Sequence, residues 1–336
     1  MTRQAIVWAC AAISIAILSL TMGCNGGKLP PGNRNLVLQL NWTPDPTFSG
    51  EYLALDQGFW SDHEGLKVRI QVGGFGIDPF APVVARKAEF AVVGADKAAI
   101  AFANGAPIRV VAVDLQRNPV GWIARSDSRV QSIPDLAGRT DLVLGDKIGT
   151  ETTAILQLML GRTGLLGKIQ PKGVGFDLAY FLQNPNIVYP VYLNEEPFRA
   201  RRAGLQIIEI DPADQENGGV RLYGNVLITH RNLIEEQEQT VKGFVSGLRR
   251  GWEYARDSRE KALQTLRKRP EFASDTLDNV FDRSVEFATS AYGVRIPPGH
   301  MEASRWQETL AALKEGGVLK SDVDVNKLVW FGADEH

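Results

Sequence analysis

The sequence predicts an α/β protein of two lobes with a ligand cleft between them. Three observations carry this prediction: strand-like and helix-like runs alternate from Leu36 onward, the alternation restarts near "SIPDLAGRTDLVLGD", and the chain closes on long amphipathic helices. Each alternating block specifies a largely parallel sheet covered by helices. Ligands of such sheets sit at the carboxyl ends of the strands, so two lobes would share one site in the cleft.

The first element is not part of either lobe. Arg3 precedes an uncharged apolar run from Ala5 to Leu20 that ends in Thr21-Met22-Gly23-Cys24. A membrane-spanning helix needs ~20 apolar residues, and this shorter run with a basic start and a small-residue end reads as a signal peptide over residues 1–23. Its ending resembles a bacterial lipobox, although Thr21 and Met22 stand where that pattern prefers Leu and a small residue. Lipid attachment at Cys24 is therefore expected. Cys10 would leave with the signal, so no internal disulfide is possible. Residues 24–35, rich in Gly, Pro and Asn, read as the lipidated start and a flexible tether.

The first lobe is expected over residues 36–125 and 226–330. Its strand-like runs are Leu36 to Leu40, Leu66 to Val72, Phe90 to Val93 and Ile108 to Val113, with short helices at Gly50 to Gly58, Phe80 to Arg86 and Lys97 to Asn104. The second lobe is expected over residues 126–225. It would hold strands at Asp141 to Leu144, Gly173 to Phe176, Val188 to Tyr192 and Leu205 to Ile210, and helices at Glu151 to Arg162 and Pro197 to Ala203. A strand and long amphipathic helices then follow, with more helix at Thr276 to Ala291 and Glu302 to Glu315.

Composition narrows the function. Lys and Arg total 37 against 39 Asp and Glu, and the basic residues from Arg249 to Arg269 are interleaved with acids, so a nucleic-acid surface is not expected. The four histidines show no ligand spacing and no cysteine joins them, so no metal site is expected. Neither a Gly-x-Ser-x-Gly elbow nor a Walker loop is present. "GGFGIDPF" lacks the dinucleotide spacing and reads as a turn.

Three loops remain as candidates. "QLNWTPDPTFSGEYLALDQGFW" runs from a strand into a turn loaded with aromatic groups, which a loop tip sheds unless the fold or a ligand covers them. Trp60 reads as core. "GADKAA" places Asp96 at a helix N-cap, and "GDKIGTETTA" places Gly149 and Thr150 before another helix; both are open to ordinary capping or to binding of polar ligand edges through free N–H groups.

"LNWTPDPTFSGEYLALDQGFWSDHEGLKV", "AEFAVVGADKAAIAFANGAPIRVVAV", "IPDLAGR", "NEEP" and "LYGNVLITHRNLIEE" occur in that order. Together they resemble the substrate-binding proteins of ABC importers in the group of nitrate, taurine, sulfonate and thiamine-pyrimidine binders, from about Leu36 to Ala291. The resemblance implies a two-lobed periplasmic-binding-protein fold of type II, export, a monomer, and permease and ATPase subunits as partners. The thiamine-pyrimidine branch is the nearest, which implies a small heteroaromatic ligand of the hydroxymethylpyrimidine type, with sulfonate, nitrate or riboflavin-like ligands as alternatives. Carried over, Trp42, Asp45 and Tyr52 shape an aromatic wall, Phe48 stands where many members have His, and Glu196 or the preceding Glu195 matches the acid of the Glu-Pro pair. Tyr223 and Asn225 match the later strand, and Gln116, Asp96, Gly149 and Thr150 complete the expected ligand contacts. The enzyme of the same superfamily, a pyrimidine synthase using pyridoxal phosphate, is the rival. Val93 and Lys97 stand at its lysine and histidine positions and "LYGNVLITH" lacks its cysteines, so neither catalysis nor a cofactor is expected.

Overall fold

The computed structural model describes residues 34–333. The expected signal segment and the Cys24 anchor lie outside them. Strands β1 (Arg34–Gln39), β2 (Leu66–Gln71), β3 (Phe90–Gly94) and β4 (Ile108–Val113) come first, followed by β5 (Val120–Arg125), β6 (Val143–Asp146), β7 (Lys172–Gly173), β8 (Ile187–Tyr192), β9 (Ile207–Ile210) and β10 (Asn225–His230). The helices used below are α1 (Ser49–Asp56), α2 (Ala95–Ala103), α3 (Glu151–Arg162), α4 (Glu196–Arg202), α5 (Arg231–Asp257), α6 (Leu277–Thr289) and α7 (Ala303–Glu315).

Two five-stranded sheets result, ordered β2-β1-β3-β10-β4 and β7-β6-β8-β5-β9. The orders are the same once each sheet's visiting strand is recognised. β10 runs antiparallel to β3 and β4, and β5 runs antiparallel to β8 and β9, so the sheets are mixed where mostly parallel ones were expected. β3, "FAVVG", is buried throughout, as a central strand covered on both faces must be.

β5 corrects the expected lobe boundary. Residues 120–125 belong to the second sheet, so the chain leaves the first lobe through residues 114–119 and returns through residues 211–224. The two crossings are bonded to each other: Asn118 N donates to Leu222 O at 3.1 Å, Gly224 N to Leu115 O at 3.0 Å, and the Arg117 guanidinium pairs with Asp211. A Cβ on Gly224 would stand 2.7 Å from Arg117 O and 2.9 Å from Leu115 Cβ, so only glycine lets them run this close.

Helix α1, which carries the aromatic turn, is held against α5 by the same device. A Cβ on Gly50 would strike the Trp252 indole and one on Gly251 would strike the Gly50 carbonyl. Trp252 is fully buried and its Nε1 donates to Asp114 Oδ1 at 2.7 Å, at the root of the first crossing. Trp60 is also core, donating to Phe244 O at 2.8 Å.

Candidate functional site

The turn after β1 is built by its own side chains. Asp45 accepts from Thr47 N at 2.7 Å and caps a single 3-10 turn, Pro46–Phe48, with proline at its start. Behind it, the Gly73 amide donates to Trp42 O at 3.0 Å, and a Cβ on Gly73 would strike Leu40 O and stand 2.6 Å from Trp42 N. The loop after β2 therefore lies directly on the Trp42 turn.

These loops and those of the second lobe enclose a cavity of 730 Å³. Of the residues expected to contact ligand, Trp42, Asp45, Phe48, Gly149, Thr150, Glu196 and Asn225 line it. Phe176 of the second lobe faces Trp42 with ring centroids 5.4 Å apart and planes 33° apart. Phe75, from the loop after β2, meets the same Phe176 ring at 5.2 Å.

Four expected contacts lie elsewhere. Tyr52 is buried, edge-on to Phe272 at 5.0 Å with the Arg269 guanidinium over its face, and belongs to the core between helices. Gln116 is buried in the crossing, donating to His300 O at 2.8 Å and accepting from Arg305 at 3.0 Å. Tyr223 packs on Trp306 at 5.2 Å and its hydroxyl accepts from Glu302 N. None of the three lines the cavity. Asp96 is displaced differently: Gly94 is the N-cap of α2, and Asp96 turns inward from the second helical position with both carboxylate oxygens buried and without hydrogen-bond partners.

The loop before α3 is a closed cap. Thr150 caps the helix, Lys147 N donates to Thr152 Oγ1, Gly149 N donates to Thr153 Oγ1, and Asp146 accepts from both threonine hydroxyls. The amide groups of Lys147 and Gly149 are thus satisfied within the loop, which leaves them unavailable to an anion.

Glu196 is similarly engaged. Its Oε1 lies 3.0 Å from Lys147 Nζ and its Oε2 accepts from Tyr192 N at 2.7 Å, both within its own lobe. Lys147 Nζ also stands 5.6 Å from the Phe176 ring and 5.3 Å from the Tyr189 ring. Glu195 bonds only the exposed Arg199 at its rim, at 3.1 Å. Burial, then the charges of Glu196 and Asp45, push its carboxyl up to about 8. Burial likewise pushes Asp45 up to about 6, against the pull of the Thr47 hydrogen bonds. Two acids with raised pKa, one from each lobe, therefore line the cleft, Glu195 holding its proton at neutral pH and Asp45 giving its proton up above about 6. Among the described residues, no group of three or more His, Cys, Asp or Glu could hold a metal ion.

A family model described as NMT1/THI5 like matches residues 45–262, well over half of the chain. The chain belongs to the NMT1/THI5-like family. Among curated relatives of this NMT1/THI5-like chain, a riboflavin-binding protein of Chloroflexus aurantiacus is 23% identical over 313 residues, covering 88% of this chain and 85% of the relative. A formylaminopyrimidine-binding protein of Halalkalibacterium halodurans is 24% identical over 294 residues, covering 85% and 86%. The periplasmic aliphatic sulphonate-binding protein of Escherichia coli superposes with a TM-score of 0.68 at 16% identity, over 89% of this chain and 92% of that one. The alkanesulfonate-binding protein of Xanthomonas axonopodis pv. citri, bound to MOPS, gives 0.65 at 17%, over 89% and 99%. The fold is that of the periplasmic binding proteins, and these likenesses are to binding proteins and not to enzymes.

Two aromatic residues of this NMT1/THI5-like site, Phe75 and Phe176, escaped the sequence reading, as did Lys147. A shared signal was present: "GGFG" and "GVGF" each set a phenylalanine beside glycines in a loop just after a strand. A large apolar side chain on so bare a loop has nothing local to pack against, which marks it for a surface that forms only with the tertiary fold.

Proposed function

We propose that this protein is the solute-binding component of an ABC importer and takes a flat heteroaromatic ligand into the cleft between Trp42 and Phe176. The observation that carries the reading is the meeting of these two rings, one from each lobe, at 5.4 Å. A flat ring held on both faces needs its walls ~7 Å apart, twice the ordinary carbon contact distance. The two short crossings between the lobes permit so small an opening by hinge motion. Asp45 and Glu195 are the acids that read amino or ring N–H donors, with Glu195 taking the part expected of Glu196. Pyrimidine precursors of the hydroxymethyl or formylamino type and flavins share this chemistry. Sulfonate or nitrate would meet a cleft whose lysines are engaged, Lys147 by Glu196 and Lys97 by the Gly149 carbonyl.

Export and a lipid on Cys24 complete the reading, supported by the apolar run before it. No helix among the described residues is long and apolar enough to cross a membrane. The permease and ATPase are the expected partners, and the soluble body is expected to act as a monomer.

The test is a thermal-shift and calorimetric panel of hydroxymethylpyrimidine, formylaminopyrimidine, riboflavin, taurine and nitrate. A ligand that binds only the folded state raises the melting temperature. Heteroaromatic members should do so in the wild type and much less in Trp42→Ala and Phe176→Ala. Stabilisation by taurine or nitrate alone would refute the proposal.

A further inference from the structure

We propose that Phe75 is a specificity-determining contact that extends the ring stack, so that the cleft selects a heteroaromatic ligand of two or more fused rings over a single pyrimidine. This rests on the preceding reading of the cleft as a heteroaromatic site. Phe75 is 79% exposed although it lines the cavity, and it shares the Phe176 ring with Trp42: Phe176 meets Trp42 at 5.4 Å and Phe75 at 5.2 Å. Three rings from three loops thus meet through Phe176, which is tilted 33° from Trp42 and 59° from Phe75. In the proposed arrangement Phe75 contacts the part of the ligand that extends beyond the ring held between Trp42 and Phe176.

The apolar surface continues at the mouth. Ile148 of the second lobe is 72% exposed and Ile77 of the first is 47% exposed, and both line the same cavity. Exposed apolar groups clustered at one mouth mark a binding surface, whereas scattered ones do not. The backbone around Phe75 is shaped by its glycines. Gly73 can carry no side chain against Leu40 and Trp42, Gly74 and Gly76 sit at φ values of +154° and +78°, and Ile77 N donates to Gly74 O at 3.1 Å. The loop is folded so that its phenylalanine stands beside the Trp42 turn. The cavity of 730 Å³ lies within the range of sites that enclose ligands well above the size of one ring.

The experiment measures dissociation constants for lumichrome, a bare three-ring heteroaromatic, and for hydroxymethylpyrimidine, on the wild type, Phe75→Ala and Phe75→Tyr. Melting temperatures should be equal, since the side chain is exposed. Lumichrome should bind the wild type more tightly than the pyrimidine, and Phe75→Ala should weaken lumichrome roughly tenfold, the scale of one aromatic contact, with the pyrimidine unchanged and Phe75→Tyr retaining most of the affinity. Equal loss for both ligands, or no loss for either, would overturn the assignment of Phe75. Tighter binding of the pyrimidine would overturn the ring-size preference while leaving the heteroaromatic site intact. Binding of neither, with taurine or nitrate bound, would overturn the underlying reading of the cleft as well.

Discussion

The side-chain amine of Lys97, on the first turn of α2, donates a hydrogen bond of 2.9 Å to the carbonyl of Gly149 in the loop before α3. It joins the two lobes directly across the mouth of the cleft. Lys97→Met keeps the apolar stem and removes the bond. Ligand affinity should fall about threefold to tenfold, from the ~0.5–1.5 kcal/mol of one hydrogen bond, and mainly through faster release. Stopped-flow release kinetics would show it, and an unchanged release rate would mean that the contact does not hold the lobes closed.

Acids from the two lobes also converge beside this bond. A Cβ on Gly94 would stand 2.7 Å from Asp96 Oδ1 and 3.0 Å from Glu151 Oε1. Burial first, and then the charge of Glu151, push Asp96 from 3.8 up to about 7. The folded state thus binds a proton that the unfolded chain has lost, so its stability is fully present below about 3.8 and declines as pH rises through about 7. Melting temperature should rise on going from pH 8 to pH 5.5, and Asp96→Asn should flatten that rise and be the more stable protein at pH 8. A steeper slope in the variant would contradict the assignment.

Lys147 and Glu196 are both largely withdrawn from solvent, with side-chain exposures of 7% and 10%. Removing one member leaves the other charge buried, which costs roughly 3–5 kcal/mol, whereas removing both is far milder. Urea denaturation should place Lys147→Met and Glu196→Gln well below the wild type and the double variant above at least one of them. Additive losses would show that the two do not act as a pair.

Gly251 lies under the Gly50 carbonyl, with Ala54 Cβ 3.1 Å from where its own Cβ would be. Gly251→Ala must push α1 from α5, at a cost of roughly 1–3 kcal/mol for overpacking. Because α1 follows directly on the Trp42 turn, the variant should lose both stability and ligand affinity. Loss of stability with wild-type affinity would uncouple the helix seam from the cleft.

Much of this molecule could be read before folding was considered. β3 announces itself as an unbroken apolar run because both of its faces are covered, β4 nearly so with Arg109 its one interruption, and the proline and acid of the Trp42 turn carry their own capping chemistry. Tyr52 could not be placed in the same way. Ser49 through Ala54 are all buried, so α1 has no polar stripe to reveal which face meets the cleft. Gln116 and Tyr223 sit in or beside the crossings, where neighbours come from residues 300–306, far along the chain. The pairing of Trp42 with Phe176 depends on two lobes closing on each other, and no local pattern encodes it. Residues 120–125 read with the first lobe because nothing local in an apolar strand says which sheet it joins.

That visiting arrangement has a consequence for how the chain acquires its structure. Every strand of the second sheet lies between residues 120 and 210, whereas the first sheet lacks a middle strand until residue 225 and bridges Val110 to Val329. The second lobe can therefore close on contacts of modest separation while the first still waits for residues more than 100 positions away. Long-range closures are the slow ones. During synthesis from the N-terminus, the later lobe should become protected first, and the earlier one should remain open, with its apolar β1 and β3 exposed, until the closing helices arrive.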